Sequence, residues 1–112
     1  MSYVYRHVAV DRVIDGDTVV ISIDLGNKTT WRDSFRLAGI DTPERGQPGF
    51  DEAADRLRNL LGAGLSRAET HKPDKYGRWL VTLWVPTDGG ELCANEIMLS
   101  EGLARPYHGG AK

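Results

Sequence analysis

Five side chains in three short stretches belong to one kind of chemistry. Asp17, Asp41 and Glu44 are hard oxygen donors able to hold, or work beside, a divalent cation, and Arg36 and Arg78 carry the planar guanidinium fork that grips phosphate oxygens. They occur in Asp15-Gly16-Asp17-Thr18, in Phe35-Arg36-Leu37-Ala38-Gly39-Ile40-Asp41-Thr42-Pro43-Glu44 and in Asp74-Lys75-Tyr76-Gly77-Arg78. Together they suit attack on a phosphodiester: a cation and two arginines would stabilise charge on the phosphate oxygens, and one carboxylate remains to serve as base.

Taken singly, the stretches have plainer explanations. Asp-Gly-Asp and Asp-Lys-Tyr-Gly are ordinary turn sequences, in which Gly supplies positive φ and Asp bonds its own backbone, and Thr42-Pro43 reads as a loop. Their combination carries the argument: three turns, each at the edge of a strand-like run, supply a metal-binding pair, a base candidate and two arginines.

The elements that must position these residues are mostly strands. Val8 to Ile14 is β-prone, and Val19, Ile21, Ile23 and Leu25 alternate along a second run whose apolar face has period two. Gly26-Asn27-Lys28 turns the chain into a third strand, Thr29 to Leu37, completing a meander that brings Asp17 and Asp41 towards one end. Phe50, Ala53, Ala54, Leu57, Leu60 and Leu61 then mark one face of a helix that ends at Gly62 and Gly64, with Asp51, Glu52, Asp55, Arg56 and Arg58 as its solvated face. A fourth strand is expected over Leu65 to Thr70 and a central fifth over Arg78 to Val85, followed by a helix from Leu92 to Leu103. Asn95 in that helix reads as a buried hydrogen-bonding strut, and Trp31, Trp79 and Trp84 as packing residues. This order suits an α+β chain: a small five-stranded β-barrel of the oligonucleotide-binding (OB) type with two packed helices.

With 112 residues, the chain is sized for a single domain, 1–112, with only Gly109-Gly110-Ala111-Lys112 reading as a loose tail. A composition that is 40% hydrophobic and 27% charged excludes a disordered chain. Fourteen Lys and Arg against sixteen Asp and Glu give a net charge of -2, so there is no global basic field and any phosphate binding must be local. The single cysteine, Cys93, excludes an intrachain disulfide and reads as a small buried hydrophobe rather than a catalytic thiol. No membrane-spanning run and no leader are expected, which implies an intracellular, cytoplasmic protein.

Val13-Ile14-Asp15-Gly16-Asp17-Thr18, the stretch from Phe35 to Glu44, Asp74-Lys75-Tyr76-Gly77-Arg78, Asn95-Glu96 and Gly102-Leu103-Ala104 together resemble the staphylococcal nuclease (thermonuclease) family, over about Val8 to Tyr107. The resemblance implies a calcium-dependent phosphodiesterase, an endonuclease acting on DNA and RNA and leaving 3′-phosphate ends, with a preference for unpaired strands. Carried over by position, Asp17 and Asp41 would bind calcium through side chains and Thr42 through its carbonyl, while Glu44 would act on the attacking water. Arg36 and Arg78 would hold the scissile phosphate, Lys75 and Tyr76 would contact a terminal phosphate, and Tyr107, aided by His108, would lie against the base. Ligand type also admits magnesium or manganese.

The family's best-known member continues past this point into a further helix, so the shorter chain implies stabilisation by a partner or a homo-oligomer. The loop after Glu44 has only Arg45 for charge, where some relatives carry a lysine-rich loop, which implies weaker substrate affinity. A competing reading is a non-catalytic OB-fold module that binds nucleic acid or protein, as in relatives that have lost carboxylates or arginines. The complete set Asp17, Arg36, Asp41, Glu44 and Arg78 favours the enzyme.

Overall fold

The computed structural model describes residues 2–107. His108 and the glycine-rich tail lie outside the described residues. The chain begins with β1 (Ser2–Tyr5) and continues into the meander β2 (Val8–Asp15), β3 (Thr18–Gly26) and β4 (Thr29–Leu37), all antiparallel neighbours. Alternation in β3 buries Val19, Ile21 and Ile23 completely, as its period-two pattern requires. After β4 come the two-residue β5 (Ile40–Asp41), helix α1 (Phe50–Leu61), β6 (Arg67–His71), β7 (Leu80–Thr87), β8 (Gly90–Cys93), helix α2 (Ala94–Ser100) and β9 (Arg105–Pro106).

The main sheet runs β1-β6-β7-β4-β3-β2, with β8 also paired to β7, and β5 pairs β9 in a separate ribbon. The architecture is the expected α+β, OB-like one, but no pairing among the described residues joins β1 to β2, so the hydrogen-bonded path stays open. Bulges between Val10 and Arg12 and between Val13 and Asp15 coil β2. Helix α1 packs Ala53, Ala54, Leu57 and Leu61 into the core, with Asp51 and Glu52 in its first turn and Arg58 in its last, matching the helix dipole. The core joins that face to Phe35, Leu37, Val81, Leu83 and Met98, all fully buried. Trp31 stands edge-on to both Phe35 and Trp79, with centroids 5.1 Å apart in each pair.

Several boundaries differ from the sequence expectation. Leu92 and Cys93 belong to β8 rather than the helix, because the Asp88-Gly89-Gly90 turn folds them back onto β7, pairing Trp84 with Cys93 and Val85 with Leu92. Helix α2 ends before Leu103: Gly102 adopts φ 74, and the Leu103 and Ala104 amides both donate to the Met98 carbonyl. The fourth strand begins at Arg67 instead of Leu65, and the fifth begins at Leu80, leaving Arg78 and Trp79 in the approach to it. Cys93 is half-buried rather than buried, and burial pushes its thiol up, which fits an unreactive residue. Asn95 is a buried strut as expected: Oδ1 accepts from the Leu83 amide, and Nδ2 donates to the carbonyls of Ala38 and Val81. Among the described residues no helix is long and apolar enough to cross a membrane.

Gly16, in the turn between β2 and β3, is where the helix layer meets the site. A Cβ there would lie 2.7 Å from the Ala53 Cβ and 2.9 Å from the Thr42 Oγ1. Gly16→Ala must therefore shift α1 or Thr42, at an expected cost of about 1–3 kcal/mol. Urea unfolding should show a lower midpoint at unchanged slope; an unchanged midpoint would mean that the turn has room to spare.

Candidate active site

The site begins at the hairpin end where Thr18 in β3 pairs with Arg36 in β4. Just before it, the Asp17 amide donates to Asp15 Oδ1 at 3.1 Å, the local turn that Asp-Gly-Asp favours, and the Leu37 amide donates to the Asp17 carbonyl at 2.7 Å. The turn is thereby held against the end of β4. Gly39, at φ 79, then reverses the chain so that Ile40 and Asp41 come back past the Arg36 side chain.

Arg36 is nearly enclosed. Its Nη1 donates to Asp17 Oδ2 at 2.9 Å, and its Nη2 donates to Asp41 Oδ1 at 3.1 Å and to the Ile40 carbonyl at 3.0 Å. Asp17 Oδ2 also accepts from the Thr42 amide at 3.0 Å. Burial alone would discourage the charge on Arg36, but Asp17 and Asp41 outweigh it and raise its pKa. Asp15 is pushed above the usual carboxylate range, first by burial and then by the adjacent Asp17 carboxylate.

Arg78 reaches the same place by another route. The only parallel pairing among the described residues, Arg36 with Leu80 and Leu37 with Val81, puts the residues just before β7 beside the end of β4. Arg78 is half-exposed and bound by Asp74, whose Oδ2 accepts from Nε at 2.9 Å and Nη2 at 2.8 Å. Asp74 Oδ1 accepts the amides of Tyr76 at 2.9 Å and Arg78 at 3.0 Å. Burial raises the Asp74 pKa, but these donors outweigh it and hold the carboxyl below its ordinary value.

One cleft of about 280 Å³ collects Asp17, Arg36, Asp41, Thr42, Glu44, Arg78 and Tyr107. The Glu44 loop is closed by its own turn, with the Glu44 amide donating to Gln47 Oε1 and the Gln47 amide to the Glu44 carbonyl. The Glu44 carboxylate has no partner among the described residues. Tyr107 is fastened by its amide to the Gly39 carbonyl, and its ring lies under the Arg36 guanidinium at 4.9 Å. The other two sequence candidates lie outside this cleft. Lys75 lines a neighbouring cavity of about 480 Å³, and Tyr76 is 64% exposed, with the Lys75 ammonium 5.3 Å and the Arg78 guanidinium 5.2 Å from its ring centre. Asp15 and Asp74 lie in the motifs but have no role in the sequence reading. Both were visible as acids next to named residues, yet their partners are set by the folded turns.

A family model described as staphylococcal nuclease homologue matches residues 34–111. The chain belongs to the staphylococcal nuclease family. It is 36% identical over 101 residues to a micrococcal nuclease of Shigella flexneri, covering 86% of this chain and 55% of that protein. It is likewise 36% identical over 102 residues to a thermonuclease of Staphylococcus hyicus (84% and 55%), and 36% identical over 108 residues to endonuclease YncB of Bacillus subtilis strain 168 (88% and 47%). The chain thus spans about half the length of the curated relatives it matches. In this family member the family-model match begins inside β4 and includes both arginines, Asp41 and Glu44, while Asp17 joins them from the preceding hairpin.

The Asp74 to Arg78 tether of this family member has a pH signature. Because the folded-state pKa of Asp74 is depressed, its stabilisation is present above the ordinary carboxylate pKa and is lost as pH falls through the folded value. Urea unfolding of the parent and Asp74→Asn across pH should show a stability gap at neutral pH that narrows in acid. A gap of constant size would mean that the charge on Asp74 is immaterial.

Proposed function

We propose that this chain is a calcium-dependent nuclease that hydrolyses phosphodiester bonds of DNA or RNA, favouring unpaired strands. The observation that carries the reading is the cleft in which two arginines face four carboxylates, Asp15, Asp17, Asp41 and Glu44. The donor set suits the cation. Asp17, Asp41 and the Thr42 carbonyl offer oxygen only, the donor type that a hard cation takes. An open, oxygen-lined, water-rich position is what a hard ion such as calcium accepts, and magnesium or manganese would find the same atoms. When bound there, such an ion supplies Lewis-acid stabilisation of a phosphate oxygen.

The remaining work falls to the chain's own groups. Arg36 is preset by its two carboxylates and Arg78 by Asp74, so both guanidiniums can donate to phosphate oxygens as charge develops on them. Glu44, without a competing partner among the described residues, takes a proton from the attacking water; the new P–O bond forms as the bond to the 5′-oxygen breaks, and that oxygen takes up a proton from water, leaving a 5′-hydroxyl and a 3′-phosphate. Tyr107 walls the cleft beside Arg36 and offers a ring face to a base. Double-stranded substrate would have to open first to reach so confined a cleft. The names of the relatives, thermonuclease and endonuclease, support the same reaction class.

The test is cleavage of a labelled single-stranded DNA by the folded protein with calcium, with magnesium and with excess chelator. Calcium-dependent cutting is expected, reduced on the order of 10²-fold or more in Glu44→Gln and in Arg78→Ala. A cooperatively folded parent that cuts in none of these conditions would instead be a binding module.

A further inference from the structure

Among the described residues three cavities share lining residues with the cleft, one of about 310 Å³ through Thr18, Arg36 and Arg78 and two outer ones. On the Arg36 and Tyr107 side the cleft adjoins the cavity of about 480 Å³, where Lys72 and Lys75 supply positive charge. On the other side it shares Asp41, Thr42, Pro43 and Glu44 with a cavity of about 640 Å³ that extends between Gln47 and Pro48 of the Glu44 loop and Leu103 and Arg105 beyond α2. The two outer cavities have no lining residue in common, so the catalytic cleft separates them. The larger is of a size that takes a small organic ligand such as a nucleotide.

Among the described residues, Arg105 is the one cationic side chain lining that larger cavity. It stands directly opposite Asp41 in the β5–β9 ribbon, and side chains of directly opposed residues lie on the same face of an antiparallel pair. Arg105 is therefore held beside the cleft by backbone pairing. It is exposed and makes no ion pair or hydrogen bond with any described residue, although Asp41 and Glu44 line the same cavity. Pro43, Pro48 and Leu103 give the walls apolar faces suited to a sugar or an unpaired base.

We infer that the cavity between the Glu44 loop and β9 is a subsite for the nucleotide next to the scissile phosphate on the Glu44 side, and that Arg105 contacts the next phosphate of a single strand there. The inference rests on the nuclease reading, and it adds a requirement. A strand cut internally must be held on both sides of the centre, and Lys72 and Lys75 serve only one of them. With a net charge of -2 over the whole chain, that second hold depends on a local cation.

The experiment has a binding arm and a kinetic arm. Binding of a thymidine oligomer is measured against salt in the Glu44→Gln background with calcium present, where cutting is slowed on the order of 10²-fold or more. Loss of one phosphate contact in Arg105→Gln should flatten the slope of log affinity against log salt by about 0.7, Arg105→Lys should keep the parent slope, and Lys28→Gln, at the far end of the β3–β4 hairpin, should change nothing. In the Glu44-intact protein, Arg105→Gln should raise KM for the oligomer about tenfold at unchanged kcat. It should leave cleavage of thymidine 3′-phosphate p-nitrophenyl ester, which has no neighbouring phosphate, as in the parent. An unchanged salt slope and KM in Arg105→Gln, with the parent cutting normally, would overturn the subsite and leave the nuclease reading standing. A parent that never cuts, but whose binding slope still falls in Arg105→Gln, would overturn the nuclease reading and keep the subsite.

Discussion

The guanidinium of Arg36 lies between the carboxylates of Asp17 and Asp41, with side-chain exposures of 9%, 8% and 22%, and the site is built around that contact. Taking an arginine and two carboxylates out of water is costly, and the arrangement holds only because each charge has a partner and each partner is fixed by backbone. Three chain segments meet there: the turn before β3, the end of β4, and β5. Removing Arg36 would take the shared cation from both carboxylates, whereas removing either carboxylate would leave Arg36 paired with the other. The same network limits what Arg36 can offer a substrate. Of its five N–H groups, three are committed to Asp17, Asp41 and the Ile40 carbonyl, which leaves Nε and one Nη1 hydrogen for a phosphate.

Arg78 is a guanidinium of the opposite kind. It is half-exposed, belongs to a loop, and has one acidic partner, Asp74, which stays anchored to backbone amides whether or not the arginine remains. On the proposed nuclease reading, a phosphate would compete with Asp74 for Arg78 and would meet Arg36 where it stands. The cleft thus combines an enclosed guanidinium and a half-exposed one.

The sheet explains how residues so far apart in sequence come together. Antiparallel register puts Arg36 opposite Thr18, and the short parallel contact of β4 with β7 delivers Arg78. Asn95 spans that contact from α2, with its amide bridging the carbonyls of Ala38 and Val81 while its oxygen takes the Leu83 amide. A buried side chain satisfied at each of these atoms locks the two strands in register at the level of the site. The packing of Ala53 against Gly16 presses α1 onto the Asp17 turn from the other side.

Local pattern was enough for much of this. Alternation in Val19 to Leu25 reports one buried face, the spacing of Ala53, Leu57 and Leu61 reports another, and Asp15-Gly16-Asp17 can hardly avoid a turn, because each of these preferences acts within a few residues. Residue type likewise named the carboxylates and arginines, and their order carried the family resemblance that the family model bears out. Tertiary structure decided which strands pair, and that depends on backbone hydrogen bonds between segments with no local signature. It drew Leu92 and Cys93 out of a helix into β8, left the sheet open, set Lys75 and Tyr76 outside the cleft, and bound Arg78 to Asp74. It also put Arg105 across from Asp41, a neighbour that sixty-odd residues of intervening chain conceal and one ribbon of β-pairing reveals.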